Sequence, residues 1–88
     1  MATKKVIKFY ATWCGPCKIY GKTWDKVTPV YSESVEFVNV DIDQDTSGLA
    51  AEYKIDTVPT TVFIQEDGSQ VVEEGRLSKE ELTNLIVG

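Results

Sequence analysis

An α/β fold is predicted for this chain, with one central four-stranded mixed sheet and helices on both faces. Three observations predict it. Strand-like runs alternate with helix-period segments over much of the chain; Asp67-Gly68 joins the last two strand-like runs; a capped amphipathic segment closes the sequence. Helices between strands imply crossovers, and a tight turn implies an antiparallel edge. The 88 residues suffice for one domain, spanning 1–88, and are too few for two.

Each element follows from its residues. "KKVIKFYA" (4–11) is β-branched and aromatic and reads as a strand. After Pro16, Cys17, Tyr20, Trp24, Val27 and Tyr31 recur at steps of three and four. That spacing makes a helix stripe facing a core. Pro29 is expected to kink or end this helix, since proline lacks the N–H and crowds the preceding turn. "VEFVNVDI" (35–42) is a second strand, with Val35 and Phe37, and with them Val38 and Val40, as core candidates. "DTSGLAAEYKI" (45–55) is a short helix capped by Asp45 or Thr46. "TTVFIQ" (60–65) and "QVVEEG" (70–75) are strands, joined by "EDGS", where Asp67-Gly68 supplies a positive φ. In "LSKEELTNLIVG", Ser78 and Glu81 form a capping box, and Leu82, Leu85 and Ile86 face inward. The order is β-α-β-α-β-β-α.

Composition narrows the function. The net charge is −5, which leaves no basic patch to replace phosphate counterions and argues against nucleic-acid binding. "VIKFYA", interrupted by Lys8, is too short for an export-signal core or a membrane span, so a cytoplasmic, non-membrane protein is expected. Stable disulfides are rare there, and a cysteine pair is more often catalytic or metal-binding. Histidine is absent.

The only two cysteines stand in "FYATWCGPCKIY", directly after the first strand. At the first turn of a helix, this spacing lets both sulfurs approach bonding distance. Cys14 is expected at the exposed helix tip and Cys17 one turn in. Unpaired N–H groups and the helix dipole stabilise a thiolate there, and the thiolate is the nucleophile. Gly15 allows a substrate backbone close, and Pro16 suits a helix start. Other readings compete with a working redox pair. A structural disulfide closing so short a loop removes little chain entropy. A metal site needs about four ligands, and two cysteines without histidine do not supply them; no metal is expected.

"WCGPC" after a strand, "VDIDQD" (40–45), "YKIDTVPTTVFI" (53–64) and "DGSQVVEEGRLSKEEL" together resemble the thioredoxin family, from Val6 to Ile86. The chain is similar to a short form lacking the first strand and helix, like small thioredoxins and glutaredoxin-like proteins. The resemblance implies a thioredoxin-like fold and a cis Val58–Pro59 bond beside the cysteines. It leaves the Val58 backbone free to pair with substrate. Gly75 matches a glycine near the site, where a missing side chain lets a partner approach. Trp13 is expected to shape the docking surface, and Tyr10 to pack under the active-site loop; Trp24 belongs to the core stripe.

The implied function is protein disulfide reduction by a cytosolic monomer, through Cys14 and Cys17. No cofactor is expected beyond their redox-active disulfide. The expected partners are disulfide-containing proteins and a thioredoxin reductase or glutathione system. A glutathione-coupled, glutaredoxin-like reductase is one alternative; a non-enzymatic partner-binding subunit is another.

Lys8 departs from the family pattern, which places a buried acid here; Asn39 stands where lysine is common, and Lys22 where a helix-kinking proline is. Lys8 shares a strand face with Val6 and Tyr10. It is expected either to snorkel to solvent, the preferred reading, or to pair with Asp41. If charged near Cys17, it would favour the Cys17 thiolate.

Overall fold

The computed structural model describes residues 2–88. Seven elements follow the expected order: β1 (Thr3–Tyr10), α1 (Gly15–Tyr31), β2 (Glu36–Asp41), α2 (Leu49–Glu52), β3 (Thr60–Gln65), β4 (Gln70–Glu74) and α3 (Lys79–Val87). They form the thioredoxin-like arrangement, with sheet order β2-β1-β3-β4. β1 runs parallel to β2 and antiparallel to β3, and β3 runs antiparallel to β4. β1 is therefore central, and it leads directly to the cysteines.

The two faces of β1 follow its alternation. Val6 joins Tyr20, Trp24 and Val27 of α1 and Leu82 and Ile86 of α3 in one core. Ile7 and Phe9 join Val40 and Val62 on the other face, covered by Leu49, Ala50 and Tyr53. The sheet is thus flanked on both faces, α1 and α3 sharing one. Phe63 is fully buried; burying such a side chain contributes about 1.5–3 kcal/mol.

Three local expectations are corrected. α1 runs through Pro29 to Tyr31. Asp25 and Pro29 are both exposed, so the carbonyl that loses its partner can turn to water. Tyr31 O then accepts the N–H groups of Ser34 and Val35 and ends the helix. The segment 45–55 holds only one helical turn, with Gly48 (φ 77°) at its N-cap. Asp45 still serves it: Oδ2 accepts Ala50 N–H at 2.8 Å, and Oδ1 binds the Ser47 N–H and hydroxyl. In the hairpin Gly68 supplies the expected positive φ, 89°. Phe37 and Val38 are partly rather than fully buried, at the margins of the two cores, while Tyr31 and Leu85 pack against the core as expected. The Ser78–Glu81 capping box is present.

Among the described residues, no helix is long and apolar enough to cross a membrane.

Candidate active site

The site is built where β1 hands over to α1. Ala11 O accepts the Cys14 N–H at 3.2 Å, turning the chain out of the strand. Cys14 is the N-cap, with φ −88° and ψ 112°, and its Sγ accepts the Cys17 N–H at 3.1 Å. Sulfur here plays the part that an oxygen plays in most caps. Gly15 and Pro16 open the helix, where a missing N–H costs nothing. Cys14 and Cys17 are joined as a disulfide, with Cα atoms 5.2 Å apart. After reduction, the free N–H groups and dipole of α1 favour a thiolate at Cys14.

Both cysteines are only 5% exposed, which corrects the expected contrast between an exposed Cys14 and a buried Cys17. Tyr10, Ile42 and Val58 pack over the cluster of Ala11, Cys14 and Cys17 and shield both. The cysteines differ in what faces them. Cys14 Sγ lies 3.7 Å from the Val58 carbonyl oxygen. Cys17 lines a pocket with Lys8, Tyr10, Thr12, Lys18 and Gly21.

Val58–Pro59 is cis, as the resemblance implied. Pro59 is buried, and its carbonyl accepts the Gly75 N–H at 2.8 Å. That bond brings Gly75, with φ 89°, to the site. A Cβ on Gly15 or on Gly75 would meet nothing within 4 Å, so both stand open to a partner. Trp13 is 67% exposed, and its Nε1–H donates to Asp43 Oδ2 at 2.7 Å.

Lys8 does not pair with Asp41. It is 8% exposed and lies across from Asn39 and Thr61, while Asp41 pairs in register with Tyr10. Asp41 Oδ1 instead accepts the Asp43 N–H. Lys8 Nζ lies among the rings of Trp24, Tyr10 and Tyr20, 4.9, 5.5 and 6.0 Å from their centroids. The stem is buried while Nζ, which has no hydrogen bond, keeps contact with solvent, and the side chain lines the open pocket beside Cys17. Burial pushes the Lys8 pKa down, partly opposed by the charge of Asp25.

Two bonds escaped the sequence reading. Trp13–Asp43 spans thirty residues, and the Tyr20 hydroxyl bonds Thr61 Oγ1 at 2.8 Å across forty-one. Asp43 lay within "VDIDQD", but nothing local pairs it with an indole. Burial raises the Tyr20 pKa to about 12, partly offset by the Thr61 bond. Among the described residues, no three His, Cys, Asp or Glu side chains converge as metal ligands.

The thioredoxin family model matches residues 1–87. The thioredoxin of Mycoplasmoides gallisepticum is 39% identical over 83 residues, which are 94% of this chain and 81% of that protein. The thioredoxin of Borreliella burgdorferi is 35% identical over 81 residues, 92% of this chain and 68% of that one. The solved structure of Fasciola hepatica thioredoxin superposes with a TM-score of 0.80 at 33% identity, over 97% of this chain and 80% of the other.

Proposed function

The chain belongs to the thioredoxin family of thiol–disulfide oxidoreductases, and we propose that it acts as a cytoplasmic protein disulfide reductase reset by a thioredoxin reductase. One observation carries the reading: the Cys14–Cys17 disulfide caps α1 beside the Val58 carbonyl. Reduced, that arrangement offers a stabilised thiolate next to a backbone group free to orient a peptide.

In this reading the Cys14 thiolate attacks one sulfur of a substrate disulfide. A Cys14–substrate bond forms, and the other substrate sulfur leaves with the electron pair. Cys17 then attacks Cys14 Sγ as a thiolate. The mixed disulfide breaks, the second substrate thiolate departs, and the Cys14–Cys17 disulfide remains. Pro59, expected in the docking surface, is fully buried and instead sets the course of the Val58 backbone through the cis bond. Trp13, Gly15, Pro16, Val58 and Gly75 form the docking surface. Their openness supports this: Trp13 is exposed, and neither glycine position is crowded.

Insulin reduction tests the reading. Turnover with NADPH and a thioredoxin reductase is expected, and Cys14→Ser is expected to abolish it. Turnover only with glutathione and its reductase would make the protein glutaredoxin-like. No turnover with either, together with full biological activity of Cys14→Ser, would make it a partner-binding subunit.

A further inference from the structure

We propose that Lys8 is the counter-ion of the Cys17 thiolate: its side chain lines the same open pocket as Cys17, and its ammonium takes that thiolate as its partner on reduction. The proposal rests on the two-cysteine cycle above and assigns a positioning residue to its second step.

Four features of the surroundings carry it. Lys8 is buried along most of its length, and its Nζ, which keeps contact with solvent, has neither a hydrogen bond nor an ion pair among the described residues. Tyr10 lies on β1, and Tyr20, Trp24 and Asp25 lie on α1; Asn39 of β2 and Thr61 of β3, opposite it, are uncharged. Ring faces attract a cation more weakly than a full opposite charge does. Asp25 is exposed and acts only at range.

The pocket supplies the third feature. Besides Lys8 and Cys17 it is lined by Tyr10, Ala11, Thr12, Lys18 and Gly21, and by no acid. The only group there that gains a negative charge during the redox cycle is Cys17. The fourth is Gly21, one turn beyond Cys17 on the same helix face. A Cβ at Gly21 would lie 4.0 Å from Lys8 Nζ. The absent side chain leaves the ammonium level with the helix surface that carries Cys17.

The chemistry closes without a further reactant. Cys17 must lose its proton before attacking Cys14 Sγ. A charged Lys8 lowers the cost of the thiolate, and the proton passes to water in the open pocket. If burial has left Lys8 neutral, its amine takes the Cys17 proton directly. Both routes end at one ammonium–thiolate pair. Attack then converts Cys17 to disulfide sulfur, and the departing substrate thiolate is protonated by solvent. Holding the dithiol form as a thiolate stabilises it and makes the couple more oxidising.

The test uses two measurements on the full chain. In Cys14→Ser, Cys17 is the single thiol, and the pH dependence of its alkylation reports its titration. The expected midpoint lies below about 8.5, the ordinary thiol value; a midpoint at or above it overturns the proposal. Adding Lys8→Met is expected to lower the thiolate fraction at pH 7 about tenfold. In the otherwise native protein, Lys8→Met is expected to move the equilibrium with glutathione tenfold towards the disulfide, about 30 mV more reducing. An unchanged midpoint and potential in folded Lys8→Met would show that the lysine is only packed there. Should Lys8→Met not fold, the Cys14→Ser midpoint alone decides. None of these measurements uses a protein substrate, so failed insulin reduction would count against the reductase reading and leave this one standing.

Discussion

The Trp13 indole donates to the Asp43 carboxylate at 2.7 Å, tying an exposed ring beside the nucleophile to the turn after β2. The ring is thus held in one orientation before any partner arrives. Asp43→Ala is expected to free it. A hydrogen bond to a charged group contributes about 1 kcal/mol or somewhat more, so KM for insulin should rise about fivefold with kcat nearly unchanged. Steady-state kinetics with indole fluorescence anisotropy check both halves. An equal fall in kcat would show that Asp43 also acts on the chemical step.

Cys14 is expected to alkylate first. Its Sγ already accepts an amide N–H at the helix N-terminus, whereas Cys17 lies inside the first turn. Equal burial in the disulfide does not alter this, because thiolate content governs the rate. Limited iodoacetamide treatment of reduced protein near neutral pH, followed by peptide mapping, should find the label on Cys14. Label on Cys17 first would reverse the two roles.

Tyr20 predicts an alkaline limb of stability. Its folded pKa, about 12, stands above the ordinary tyrosine value of 10. The folded state therefore holds the proton more tightly than the unfolded chain. The resulting stability is fully present below pH 10 and is lost as pH rises towards 12. Urea unfolding at pH 8 and pH 11 should show the loss. Tyr20→Phe should flatten that difference and cost about 1 kcal/mol at pH 8, through the broken Thr61 bond.

Gly75 and Gly15 separate backbone strain from crowding. A Cβ meets nothing at either position, but only Gly75 has a positive φ. Gly75→Ala is expected to cost about 1 kcal/mol, and Gly15→Ala close to nothing. Denaturation midpoints of the two variants check the contrast.

Much of this was legible from local pattern. The stripe Cys17–Tyr20–Trp24–Val27 places α1 because helix period and burial coincide there. Ser78 and Glu81 announce α3 because a capping box lies within four residues. "CGPC" after a strand places the redox pair for the same reason. What failed was decided by distance or by solvent. Pro29 did not stop α1, because the turn it disrupts faces water. The segment 45–55 shortened to one turn, although Asp45 still binds its N–H groups. The rings beside the Lys8 ammonium were not legible, because two of the three lie on another element. The Tyr20–Thr61 and Trp13–Asp43 bonds join residues that no short window contains.

The strand order leaves β2 and β4 as the open edges of the sheet. β2 carries Glu36 and Asp41, β4 carries Glu73 and Glu74, and neither carries a lysine or arginine. An unpaired edge is a template for another copy's backbone. Two copies meeting there would set carboxylates about 5 Å apart, a spacing at which like charges repel. Colloidal behaviour follows from this. Acid, which neutralises the edges, or high salt, which screens them, should promote sheet-to-sheet association. Near neutral pH at moderate salt, both borders resist it.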